Sequence, residues 1–183
     1  MKLVSLLLVP VFIVLITSAA SAQEAPPKDL ASSLGVDFAV AIPVDDWANV
    51  SDVSLGGLVR FEHRVIPTLA VTGRTGYLHD FGVQEGVSLG HVPILGGVRW
   101  YPMEGDQSPW LGAELGVAIW WASVTVSTPF GEMSDSDTEA ELALALSGGY
   151  RIGAFSFGGG LYVPSTDEAF GFYAAAGFDF ATF

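Results

Sequence analysis

From residue 34 to residue 180, apolar side chains return at every second position in eight separate segments, and no window keeps the 3.6-residue period of a helix. Such a chain must fold as strands that are apolar on one face. The first segment sets Leu34, Val36, Phe38, Val40 and Ile42 against Gly35, Asp37, Ala39 and Ala41. The second sets Val53, Leu55, Gly57, Val59 and Phe61 against Ser54, Gly56, Leu58, Arg60, Glu62 and Arg64. The third opposes Leu69, Val71, Gly73, Thr75 and Tyr77 to Ala70, Thr72, Arg74, Gly76 and Leu78. In the fourth, Val92, Ile94, Gly96, Val98 and Trp100 oppose His91, Pro93, Leu95, Gly97, Arg99 and Tyr101. Val87 and Leu89 are out of phase there, so a bulge is expected near Gly90.

The remaining four segments follow the same rule. Leu111 to Trp121 alternates with Gly112, Glu114, Gly116, Ala118 and Trp120, and Leu142 to Tyr150 alternates with Glu141, Ala143, Ala145, Ser147, Gly149 and Arg151. Phe155 to Val163 alternates with Ser156, Gly158, Gly160 and Tyr162, and Phe170 to Phe180 with Gly171, Tyr173, Ala175, Gly177 and Asp179. An even number of such strands predicts an all-β fold, an eight-stranded antiparallel up-and-down barrel.

Periodicity does not say which face meets which solvent, because a soluble lipocalin-like barrel alternates as well. Charge placement separates the two. All five arginines, Arg60, Arg64, Arg74, Arg99 and Arg151, share the non-apolar faces with five acids, Asp37, Glu62, Glu114, Glu141 and Asp179. Equal numbers of both signs suit a closed lumen of paired ions, since an unpaired buried charge is heavily penalised. The same faces are rich in glycine and alanine and hold no lysine, unlike the outside of a soluble barrel. An inside-out, transmembrane barrel is therefore expected, with those ten residues forming one lumen network.

Aromatic residues near the strand ends fit two interfacial girdles, Phe61, Trp100, Tyr101, Trp110, Phe155 and Phe183 at one end and Trp47, Tyr77, Phe81, Trp120, Trp121, Tyr162 and Phe170 at the other. With the N-terminus on the periplasmic side, short connections fall at 65–68, 102–109 and 152–154. Longer outer loops fall at 43–52, 79–86, 123–138 and 164–168, and carry most of the remaining acids.

The first residues read as an export signal: Lys2, an apolar run from Leu3 to Ile16, then Ala20-Ser21-Ala22, with cleavage expected after Ala22. A fourteen-residue apolar run containing Pro10 is short for a spanning helix. Residues 23–32 then form a periplasmic lead-in and 33–183 the barrel. With no cysteine and a net charge of −13, the chain has no disulfide, no acylated cysteine and no basic nucleic-acid footprint.

The segment His91-Val-Pro-Ile-Leu-Gly-Gly-Val-Arg-Trp-Tyr-Pro102 resembles a central strand of the small outer-membrane β-barrel family that includes opacity-type and X-type proteins and the barrel of outer-membrane protein A. Pro109-Trp-Leu-Gly-Ala-Glu-Leu-Gly116 resembles the strand after its periplasmic turn. The chain also ends on Phe183, as these barrels do for recognition by the barrel assembly machinery. The resemblance implies a bacterial outer-membrane location among lipids and lipopolysaccharide. One departure stands out: counting back from Phe183 by twos gives Ala181, Asp179 and Gly177, whereas the apolar phase runs through Phe180, Phe178 and Ala176. Either a bulge lies near the end of the last strand or the terminal signal is atypical.

No chemistry-bearing constellation emerges. His63, His79 and His91 lack a serine and a carboxylate at spacings that make a triad, and Gly158-Gly159-Gly160 lacks the strand–turn–helix context of a phosphate loop. Alternating acids at Asp135, Asp137 and Glu139, beside Glu132, offer a calcium-type oxygen set without the glycine and distal glutamate of an EF-hand. The expectation is a non-enzymatic barrel without a cofactor, structural or loop-presenting and too narrow for a porin. Divalent cations on the acidic loops are the exception considered, and a soluble exported barrel binding a small apolar ligand is the alternative.

Overall fold

The structure, a computed structural model, describes residues 31–183 apart from 85, 106, 129, 130, 167 and 168, and only the backbone of 126–128 and 131–134. The expected signal segment 1–22, most of the lead-in, Glu85, Asp167, Glu168 and the Glu132 side chain lie outside the described residues.

Eight strands follow in chain order: β1 (Ser32–Val44), β2 (Val53–Ile66), β3 (Leu69–Phe81), β4 (Val87–Trp100), β5 (Gln107–Thr128), β6 (Gly131–Ile152), β7 (Phe155–Ser165) and β8 (Ala169–Thr182). Each pairs antiparallel with the next and β8 returns to β1, which closes the barrel and leaves no edge along its wall. A 3-10 turn, Asp45–Asn49, lies between β1 and β2. The start of β1, the end of β8 and the short turns at 67–68, 101–105 and 153–154 share one rim, called here the inner end.

The alternation read from the sequence is realised with the apolar face outward. Phe38, Ile42, Leu111, Leu115, Leu146 and Phe172 are each more than half exposed, while Arg60, Glu62, Asp80, His91 and Tyr101 are almost completely buried. A water-soluble protein does not leave so much contiguous apolar surface uncovered. This exterior is built for hydrocarbon, and the soluble lipocalin-like alternative is set aside.

Three expectations are corrected by the register. First, β4 pairs with β3 and β5 without a shift through Gly90, so no bulge lies there. Leu89 simply faces inward, where the outer mouth is apolar enough to accept it; Gly90 is small because a Cβ there would strike the ring of Tyr77. Second, the expected loop 123–138 is largely strand: β5 and β6 pair without interruption out to Thr128 and Gly131, whereas β6 leaves β7 at Leu144. The β-branched residues Val124, Thr125, Val126 and Thr128 favour extended backbone even though the segment is polar. Since about 9–11 residues span a membrane, the outer part of these 22-residue strands projects as a two-stranded hairpin. Third, Tyr101, Trp110, Trp47 and Tyr162 are buried inside the barrel and Trp120 is half-buried against the cluster of Trp47 and Tyr162, so these five fill the lumen instead of lying in the girdles. Their positions in the alternation already place Tyr101, Trp120 and Tyr162 on the inner face.

The end of β8 carries a bulge. Leu34 pairs with Ala181 but Gly35 pairs with Asp179, so Phe180 is an extra residue bulged out of β8. The bulge lets Asp179 point inward while Phe178, Phe180 and Phe183 are all exposed on the outside. Phe183 exchanges two backbone hydrogen bonds with Ser32, of 2.7 and 2.9 Å, and so takes part in the closing seam.

Candidate functional site

The inner half of the lumen is held by one ion cluster. Arg60 of β2 reaches Asp179 of β8 at 2.8 Å, Asp37 of β1 at 3.3 Å and Glu62 of β2 at 4.0 Å. Arg99 of β4 and Arg151 of β6 meet Glu62 at 3.1 and 3.0 Å, and Arg151 also pairs closely with Asp179. The Tyr101 hydroxyl donates to Glu62 at 2.7 Å. Five strands are thereby joined across the interior. Asp37 meets Arg60 without an aligned hydrogen bond, so that contact is purely ionic. Two glycines make the cluster possible, since a Cβ at Gly35 would press on Asp179 and one at Gly177 on Asp37 and Ser156.

Above it, Arg74 of β3 pairs with Glu114 of β5, which also accepts from Thr72 at 3.3 Å. Arg99 stacks on Trp110 at 4.0 Å and Arg74 on Tyr173 at 5.3 Å. Trp110 occupies space left by Gly149 and Gly158, which accounts for part of the glycine run. Leu58, Leu78, Leu95, Tyr162 and Tyr173 fill the middle around a void of about 20 Å³, and a second void of about 10 Å³ lies beside Arg74 and Trp110. Each holds one water at most.

The ten expected lumen residues therefore do not form one network. Eight of them make the six-residue cluster and the separate Arg74–Glu114 pair, and two stand outside both. Arg64, at the inner mouth, is stacked on Tyr101 at 4.6 Å and donates to the Pro67 carbonyl at 3.4 Å, with no carboxylate partner among the described residues. Glu141, half-buried at the outer mouth, has no cation partner among the described residues. Among the described residues, ion pairing in the lumen thus leaves Arg64 unpaired at one end and Glu141 unpaired at the other.

The outer mouth contains a group that the sequence pattern did not reveal. Asp80, expected in an acidic surface loop, is 1% exposed. It accepts a hydrogen bond from Trp47 Nε1 at 3.1 Å and another from the Ser54 hydroxyl, and it lies 3.4 Å from His91 Nδ1. Trp47 is carried over the mouth by the 3-10 turn and packs edge-on against His91 and Trp120, with ring centres 5.9 and 6.0 Å apart. Tyr162 closes the cluster at 5.8 Å from His91. Ser51 and Asp52 then tie the returning chain to Phe81. The available signal was the phase of Asp80, which continues the inward positions of Arg74, Gly76 and Leu78.

Ser54, His91 and Asp80 do not amount to a catalytic triad. The serine hydroxyl is engaged by Asp80, not presented to the free His91 Nε2, and Trp47, Trp120 and Tyr162 seal the imidazole away from any substrate. The proposed calcium set is also redrawn. Asp135, Asp137 and Glu139 sit at alternate positions of β6, about 7 Å apart along the strand, too spread for three carboxylates to share an ion at 2.3–2.6 Å. Among the described residues no group of three acidic or histidine side chains is placed to hold a metal.

No protein-family model and no curated protein matches the sequence. Solved structures do match the fold. Ail, the attachment invasion locus protein of Yersinia pestis, superposes with a TM-score of 0.61 at 14% identity, over 84% of this chain and 99% of that one. Its complex with the heparin analogue sucrose octasulfate gives 0.63 at 15% identity, with the same coverage. Neisserial surface protein A gives 0.55 at 12% identity, over 82% and 95% of the two chains. At these identities the likeness is one of fold.

Proposed function

We propose that this chain is an integral barrel of the bacterial outer membrane that acts by presenting its outer hairpin and loops at the cell surface, with no catalytic or transport role. The observation that carries this reading is the reversal of polarity: an exposed apolar exterior around a sealed, ion-paired interior. A lumen filled by leucines, tyrosines and paired arginines supports neither bulk transport nor a substrate site. The β5–β6 hairpin is its largest projecting feature. Kinship with the opacity-type and X-type barrels, removal of residues 1–22 on export, and recognition of Phe183 by the assembly machinery belong to the same proposal.

The complex of Ail with a heparin analogue is not a guide to the ligand here. The outer segments 43–52, 79–86, 123–138 and 164–168 contain no lysine or arginine, so sulfated polyanions meet repulsion. Lipopolysaccharide phosphates meet the same acidic rim, and contact with them calls for bridging divalent cations.

Fractionation of cells expressing the chain tests the reading. It predicts extraction only by detergent and faster migration of unheated than of boiled protein on a denaturing gel. Free solubility in the periplasm, with no heat-dependent shift, contradicts it.

A further inference from the structure

One cation of the inner mouth stands outside its ion pairs. In the ion cluster Arg60, Arg99 and Arg151 are balanced by Asp37, Glu62 and Asp179. Arg64 lies outside these pairs and makes no ion pair among the described residues, although Glu104 stands in the turn on the same rim. Arg64 lies beside a cavity of about 400 Å³ that opens at the inner rim and is lined also by Arg151, Ser33, Thr182 and Gly105. Its guanidinium is held in place from two sides, by the Tyr101 ring beneath it and by the Pro67 carbonyl. Tyr101 is itself fixed, being fully buried with its hydroxyl on Glu62. The result is an oriented cation without an ion-pair partner among the described residues, next to an open space.

We propose that this inner mouth is a binding site for a single carboxylate carried on a small molecule or on the end of a short peptide. The planar guanidinium fork matches a carboxylate in bidentate geometry. Ser33 and Thr182 add hydroxyl groups to the cavity wall. Glu62 and Asp179 also line it, so a monoanion meets less repulsion there than a dianion such as phosphate. If the outer-membrane reading is right, the site faces the periplasm, so its ligand is a periplasmic carboxylate.

The test uses the full barrel folded in detergent micelles, with N-acetyl-alanine as the probe, N-acetyl-alaninamide as its neutral counterpart and acetate as the free-acid arm. Nuclear magnetic resonance follows the Arg64 side-chain N–H and the Gly105 amide. Saturable shifts are expected with both acids and not with the amide. Arg64→Gln is expected to weaken binding about tenfold or more, the scale of a charge-assisted hydrogen bond, while Arg64→Lys retains part of it. Tighter binding by N-acetyl-alanine than by acetate points to a peptide end, and equal binding to a small free acid. Fold is checked by the heat-dependent gel shift, which Arg64→Gln leaves intact because Arg64 joins no ion pair among the described residues. Equal response to acid and amide, unchanged affinity in Arg64→Gln, or tighter binding of inorganic phosphate than of either acid each overturns the proposal.

Discussion

At the scale of single residues, some charges hold the barrel together and others do not. Arg60 joins three carboxylates and is 1% exposed, so Arg60→Ala leaves buried acids unpaired and is expected to cost about 3–5 kcal/mol. Arg64→Ala removes a half-exposed stacked cation and is expected to cost about 1 kcal/mol or less. Urea unfolding of the two variants in lipid vesicles measures the contrast, and equal losses would mean that the cluster is not the inner brace described. Asp80 offers a second contrast. Replacing it with alanine strands the Trp47 N–H, the Ser54 hydroxyl and His91 without their acceptor, at about 1–3 kcal/mol for each unsatisfied group. The 3-10 turn is then expected to lift. The amides of Val50 and Ser51, which donate to the Trp47 carbonyl at 3.2 and 3.0 Å, should lose hydrogen-exchange protection while the strands keep theirs. These residues also show how far the sequence could be read. Which arginines and acids face inward followed from phase alone. Which of them meet did not, because pairing depends on register between strands and on which glycines leave room.

At the scale of the strand, one face meets lipid and the other the lumen, so a substitution's effect follows its parity. Leu115 and Leu144 are paired across β5 and β6 and both point outward. Leu115→Arg or Leu144→Arg is expected to cost about 2–4 kcal/mol if the pair lies at the bilayer midplane. Glu114→Gln, one residue away and inward, keeps the barrel inserted and loosens Arg74 alone. Comparable losses of vesicle folding in all three would contradict the assignment of faces. The strands were legible because their alternation is uninterrupted over most of their length. Their ends were less so: Val124 to Thr128 alternates in polar and β-branched residues that look like a loop by composition and behave as strand by propensity. The bulge at Phe180 was visible as a phase conflict before it was visible as geometry. The one inferred at Gly90 was not real, because Leu89 has an apolar reason to face inward.

At the scale of the whole molecule, the barrel is sealed twice, by the ion cluster at the inner end and by the Trp47 cover at the outer end, with packed leucines and tyrosines between. Purified protein in planar bilayers is therefore expected to show no steady ion conductance, and a stable conducting state would show that the interior rearranges. The central claim is that this sealed cylinder sits with its apolar exterior in hydrocarbon. Because the chain has no cysteine, single cysteines can be placed at the outward positions 111, 113, 115 and 117 of β5 and spin-labelled in a bilayer-reconstituted barrel. Their relaxation is then compared between oxygen, which concentrates in lipid, and a water-soluble nickel complex. The account predicts that all four are reached by oxygen and shielded from nickel, with the strongest contrast at the positions nearest the bilayer centre; free access of nickel to all four would show that the apolar face does not lie in a membrane.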